Sequence, residues 1–136
     1  MIPTLYIIIP CYNEEKVLPI TAPLFLEQLK LMQSKELISY ESKIMFVNDG
    51  SKDRTIEIIK ELRQKDKRIS YVDFSRNFGK EIAMIAGLDY AKGDCVIFMD
   101  ADLQDPPELI PELIKYWEEG YDDVYAKRRS RSLEAL

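Results

Sequence analysis

The sequence predicts an α/β domain with a mainly parallel sheet and helices on both faces. Short apolar runs, often β-branched, alternate along the chain with longer segments of helical apolar spacing. The runs are apolar without polar alternates, as in strands covered on both faces. Each run empties into a polar, aperiodic segment that precedes a helix, the order right-handed crossovers require.

Leu5–Ile9 is the first such run. Glu15–Ser34 follows with Val17, Leu18, Leu24, Phe25, Leu29 and Met32 at broadly helical spacing; Pro19 and Pro23 delay the helix start or kink it. Ile44–Val47 reads as a second buried strand, and Asp53–Asp66 as a helix with Ile56, Ile59 and Leu62 on one face. Ile69–Phe74 reads as a third strand. Gly79–Ala91 reads as a helix with Ile82, Ile85, Ala86 and Tyr90 inward. Cys95–Met99 is a fourth strand. Pro107 stands where a fourth helix opens, and Gly120 where it ends. Val124–Ala126 opens a fifth strand.

A chain of 136 residues suits one domain, or one half of a larger one, and can bury a sizeable core. No apolar run approaches the ~20 residues of a membrane-spanning helix. The first residues lack the basic region and cleavage site of a signal peptide, so a cytoplasmic location is the expectation. The net charge of −5 argues against a nucleic-acid partner. Cys11 and Cys95 are the only cysteines, and there is no histidine to complete a zinc cluster or a histidine-dependent triad. Acid–base work is left to carboxylates, lysine, tyrosine or a metal-bound group.

The non-periodic residues are concentrated after the strands. The segments starting at Pro10, Asn48, Ser75 and Asp100 each follow a strand's carboxyl end. In a parallel sheet those ends share one edge, where open α/β folds bind ligands. Asp100-Ala101-Asp102 is the chemical centre: two carboxylates just beyond a strand can face one ion if the backbone bends there. Repulsion between them disfavours the arrangement unless a cation intervenes. Magnesium or manganese suits hard oxygen ligands, few of them from protein. Gln104 offers a further oxygen or orients a ligand water. Asp49 can accept a hydrogen bond from a nucleobase, and Tyr12 offers a flat face for it. Neither Gly-x-Gly-x-x-Gly nor a glycine-rich Lys-Ser/Thr loop is present, so phosphates would be held by a metal.

Taken together, Ile-Ile-Ile-Pro-Cys-Tyr-Asn-Glu-Glu, Val-Asn-Asp-Gly-Ser-Lys-Asp-Arg-Thr, Ser-Arg-Asn-Phe-Gly-Lys-Glu and Met-Asp-Ala-Asp-Leu-Gln-Asp-Pro-Pro-Glu resemble the family-two glycosyltransferases of GT-A fold. The pattern is similar above all to bacterial polyprenyl-phosphate (bactoprenol) glucosyltransferases and dolichol-phosphate mannosyltransferase. The resemblance implies a nucleotide-sugar-binding part over residues 1–131, with 132–136 as a tail. It puts Pro10, Tyr12, Glu14 and Asp49 around the base and ribose, and adds Asn13 to the nucleotide-sugar-binding residues. It puts Asp100, Ala101 and Asp102 at the donor's diphosphate, with the two aspartates catalytic. It implies Mg²⁺ or Mn²⁺ held by Asp100, Asp102 and Gln104. The implied partners are a nucleotide-sugar donor, UDP-sugar favoured over GDP-sugar, and a polyprenyl-phosphate acceptor. The basic residues Arg128 and Arg129 are candidates for that acceptor's phosphate. Such relatives continue into an acceptor-side half and membrane helices, so this chain reads as an N-terminal part that would act at the cytoplasmic face of a membrane. The alternatives are a non-catalytic nucleotide-sugar-binding module and a haloacid-dehalogenase-type phosphatase, whose nucleophilic aspartate normally follows the first strand.

Overall fold

The computed structural model describes residues 2–120. In chain order these form β1 (Leu5–Cys11), α1 (Leu18–Ser34), β2 (Lys43–Asn48), α2 (Thr55–Lys65), β3 (Ile69–Asp73), α3 (Lys80–Tyr90), β4 (Cys95–Phe98), a short 3₁₀ turn (Pro107–Leu109) and α4 (Ile110–Glu118). The expected Val124–Ala126 strand, the basic cluster with Arg128 and Arg129, and the boundary at residue 131 lie outside the described residues.

The four described strands are all parallel, in the order β3-β2-β1-β4. Leu5, Ile7, Ile9 and Cys11 of β1 join the larger core with α1, α2 and α4, while Tyr6 and Ile8 join a smaller one under α3. Both faces are therefore covered, and each fully buried Ile or Leu contributes about 1.5–3 kcal/mol relative to exposure. β1 is longer than its apolar run because it continues through Pro10. Ile8 turns its carbonyl to Met99 N–H on the β4 side, and Cys11 turns its own to Asp49 N–H on the β2 side. Pro10, two residues beyond Ile8, thus directs its missing donor past the end of β4, where no ladder bond is lost.

Two helix faces differ from the expectation. In α1 the buried stripe is Leu18, Ala22, Phe25, Leu29 and Met32, and Leu24 is exposed. In α3 the inward residues are Ala83 and Gly87, whereas Ile82, Ile85 and Tyr90 are exposed, Ile85 by 59%. Close approach decides this: a Cβ on Gly87 would lie 2.6 Å from Ile8 Cγ2. The helix lies against the sheet along its smallest residues, and its larger ones are turned away.

Candidate functional site

From β1 the chain moves through β2 to β3 on one side, and β4 then pairs on the other side of β1. The carboxyl ends of β1 and β4 thus flank a topological switch point, the place where open α/β sheets form their binding crevice. A cleft of about 220 Å³ lies there. Pro10 and Cys11 line it from β1, Tyr12 and Glu14 from the segment after it, Asp49 from just beyond β2, Lys80 from α3, and Asp100 to Asp102 with Gln104 from the segment after β4.

Ala101 is 2% exposed and belongs to the main core, which turns the flanking carboxylates of Asp100 and Asp102 outward into the cleft. The backbone bend this needs is supplied by Leu103, which has φ +58° and packs against the same core. A non-glycine residue in that region costs of order 1–3 kcal/mol, a strain the surrounding packing must offset. Gln104 donates from Nε2 to Asp102 Oδ2 at 3.2 Å. Its amide is therefore in place to orient the second carboxylate, and a half-turn would bring its oxygen to the same point.

Asn13 has a different position from the one expected. It is absent from the cleft lining and braces two loops instead. Its N–H donates to Ser51 Oγ at 2.9 Å and its Oδ1 accepts from Lys52 N–H at 2.8 Å. Glu14 N–H donates to Thr55 Oγ1, Glu15 N–H to Asp53 Oδ2, and Arg54 N–H to Glu15 Oε1. Asn13 itself has φ +55°, a conformation asparagine tolerates, which lets the chain after β1 fold down onto the loop after β2.

Asp49 lines the cleft but is 3% exposed. Oδ1 accepts Phe78 N–H at 2.8 Å, and Oδ2 accepts Gly79 N–H at 3.0 Å and Asn77 Nδ2 at 3.1 Å. The carboxylate thus clasps the loop after β3, using three of its roughly four acceptor sites. Within that loop, Arg76 stacks its guanidinium 4.7 Å from the Phe78 ring centre, and Phe78 meets Phe74 edge-on.

Lys80 was not singled out by the sequence reading. Its Nζ lies 2.6 Å from Asp100 Oδ1. The available signal was its place at the first residue of a helix, where a cation faces the positive end of the helix dipole and needs another reason to be there. The acidity of the cleft is felt at Glu14, whose carboxyl is raised above its ordinary range by desolvation, then by the charges of Asp102, Asp53 and Asp100. Cys11 and Cys95 are free and buried, and burial raises both thiols, Cys95 to about 11. Neither is a thiolate nucleophile near neutral pH.

Among the described residues, no group of three or more histidine, cysteine, aspartate or glutamate side chains could hold a metal ion. The donor set at the cleft is two carboxylates and one amide, and an ammonium group already stands against one carboxylate. That set fits a hard cation whose remaining ligands come from phosphate and water.

The sequence matches the family profile of glycosyl transferase family 2 over residues 6–135. The chain belongs to that family. It is 51% identical over 96% of its length to an uncharacterized glycosyltransferase of Bacillus subtilis. It is 48% identical over 94% of its length to the prophage bactoprenol glucosyl transferase homolog of Escherichia coli. The chain spans 38% and 40% of those two relatives. A mannosyltransferase of Pyrobaculum calidifontis, solved with GDP-Man and Mn²⁺, superposes with a TM-score of 0.63 at 24% identity, covering 85% of this chain and 32% of that one. That likeness shows the GT-A, Rossmann-like fold. The family match removes the phosphatase alternative, whose aspartate also belongs after the first strand rather than the fourth. Among the described residues, no helix is long and apolar enough to cross a membrane.

Proposed function

We propose that the protein transfers a hexose from a nucleotide-sugar donor to a polyprenyl-phosphate acceptor, this chain supplying the donor and cation site. The observation that carries the reading is the convergence of Asp100 and Asp102 on one cleft at the switch point of the sheet. The names of the bactoprenol glucosyl transferase relatives support the acceptor class and a glucose-type donor, for which UDP-glucose is the leading candidate.

In this reading Asp100 and Asp102, oriented by the buried Ala101 between them, hold Mg²⁺ or Mn²⁺, with the Gln104 amide turned to add its oxygen. When bound, the ion neutralises charge developing on the nucleoside diphosphate as the anomeric C–O bond breaks. Tyr12, 42% exposed at the cleft, presents its ring to the base. The remaining acceptor position of Asp49 takes a base N–H, Glu14 takes the ribose hydroxyls, and Pro10 closes the floor beneath them. The acceptor phosphate is already anionic, so it needs positioning more than a general base. Arg128 and Arg129 are proposed to provide that positioning at the cytoplasmic face of the membrane.

Calorimetric titration with UDP and GDP tests the reading. Binding should be tighter with Mg²⁺ or Mn²⁺ than with EDTA, and Asp102→Asn should remove most of the difference while leaving the fold intact. Equal affinities with and without the ion would overturn the cation assignment.

A further inference from the structure

Among the described residues, Lys80 is the one basic side chain in the lining of the cleft. Its ammonium lies 2.6 Å from Asp100 Oδ1, with side-chain exposures of 61% for Lys80 and 27% for Asp100. The pair is not a packing feature. The lysine stem is largely in solvent, and an exposed ion pair of this kind is weak. Its location at the first turn of α3 is electrostatically unfavourable, because the free N–H groups there already carry positive charge. The backbone beneath it is nevertheless held firmly, since Asp49 accepts the N–H groups of Phe78 and Gly79 immediately before it. A flexible four-carbon arm carrying a point charge is thus mounted on a fixed base beside two carboxylates.

We propose that Lys80 is a donor-binding residue that changes partner: it neutralises Asp100 in the free protein and moves to a diphosphate oxygen of the nucleotide when a divalent cation takes its place. The inference rests on the donor and cation reading above. A divalent ion and the ammonium cannot both sit against Asp100 Oδ1, since each requires that oxygen at contact distance and they repel. Displacement leaves a lysine charge within side-chain reach of the phosphates that arrive with the ion. A lysine suits this exchange better than an arginine, because its three donors rotate freely and bind as a point charge. The arrangement opposes occupation by the cation alone and favours occupation by cation and diphosphate together.

The two halves of the exchange have opposite signs, so one substitution separates them. Lys80→Met should bind Mn²⁺ alone about two- to fivefold more tightly, as expected on removing a weak competing ion pair. The same variant should bind UDP or GDP in saturating Mn²⁺ at least about tenfold more weakly, the usual scale for losing a charge-assisted hydrogen bond. Mn²⁺ affinity is read from the free-ion electron paramagnetic resonance signal, and nucleotide affinity by calorimetry. Lys80→Gln provides a second neutral variant, and matching thermal melts check the fold of both. Lys80→Arg should retain most of the nucleotide affinity. Unchanged or weaker Mn²⁺ binding in the neutral variants, or unchanged nucleotide binding, overturns the proposal while wild-type behaviour still supports the cleft. Failure of the wild-type protein to bind either nucleotide with Mn²⁺ overturns the donor reading and the Lys80 assignment with it.

Discussion

The carboxylate of Asp49 accepts the backbone N–H of Phe78 at 2.8 Å, joining two residues that stand 29 apart in sequence. With the Gly79 and Asn77 bonds, this makes Asp49 the clasp of the loop from which Lys80 extends. The position that a sequence reading assigns to base recognition therefore also sets the cleft wall.

That dual position can be separated by experiment. Asp49→Asn keeps the shape but replaces one acceptor oxygen with a donor group, which opposes the N–H groups of Phe78 or Gly79. It should destabilise the fold by about 1–3 kcal/mol in urea denaturation, the cost of unmade buried hydrogen bonds. It should also weaken UDP or GDP binding. Inorganic pyrophosphate binding should fall much less if Asp49 serves the base. Equal losses for nucleotide and pyrophosphate would leave Asp49 with the clasp alone.

Gly50 provides a test of how tightly the loops are joined. It has φ +69°, and a Cβ placed there would lie 2.1 Å from the carbonyl carbon of Arg76. Gly50→Ala should therefore destabilise the protein by about 2 kcal/mol or more, combining backbone strain with a clash against main chain that cannot rotate away. Gly79→Ala, at φ +105° with nothing within 4 Å of the added carbon, should cost less, since strain acts alone. Thermal denaturation of both variants checks the order. A wild-type melt for Gly50→Ala would show that the β2 and β3 loops are not in contact as described.

The acid side of the stability profile should have two parts. Desolvation and the charges of Asp102, Asp53 and Asp100 raise Glu14 above its ordinary value of 4.5, so its ionised form disfavours folding. As pH falls toward 4.5 in EDTA, protonation of Glu14 should increase stability. At Asp53, desolvation acts upward, but hydrogen bonds from Thr55 and Glu15 outweigh it and hold the carboxyl low. Asp66 is held low by the Arg68 guanidinium. Both favour folding above their ordinary value of 3.8, and that contribution is lost as pH falls through their lowered values. Glu14→Gln should remove the upper rise and leave the lower fall. A profile unchanged by that substitution would mean that the cleft carboxylates do not act on Glu14.

Local pattern was enough to identify the strands and helices among the described residues and to single out the segment after β4 as the candidate site. Uninterrupted runs such as Leu5–Ile9 announce doubly covered strands because burial on both faces excludes polar alternates. Asp100 and Asp102, which line the cleft, stand out because two carboxylates after a strand repel unless something between them carries positive charge. The motifs containing them were enough to place the chain among family-two glycosyltransferases, as the profile match then showed.

Only the tertiary structure decided which of the clustered polar residues face the cleft and which hold the loops. Asn13 turned to Ser51 and Lys52, Asp49 to residues 77–79, and Lys80 to Asp100, all through bonds between residues 20–39 apart in sequence. The first two sets of partners depend on β2 lying between β1 and β3, and the last on β4 pairing beside β1 rather than β3, choices that no single segment encodes. The inward face of α3 was hidden for the same reason. Periodicity favours the bulky Ile82 and Ile85, but the distance between helix and sheet is set by Ile8 and Val47 on other strands, and at that distance only Ala83 and Gly87 fit. Sequence periodicity reports what each segment needs to bury, and the packing of segments against one another decides which side chains remain for chemistry.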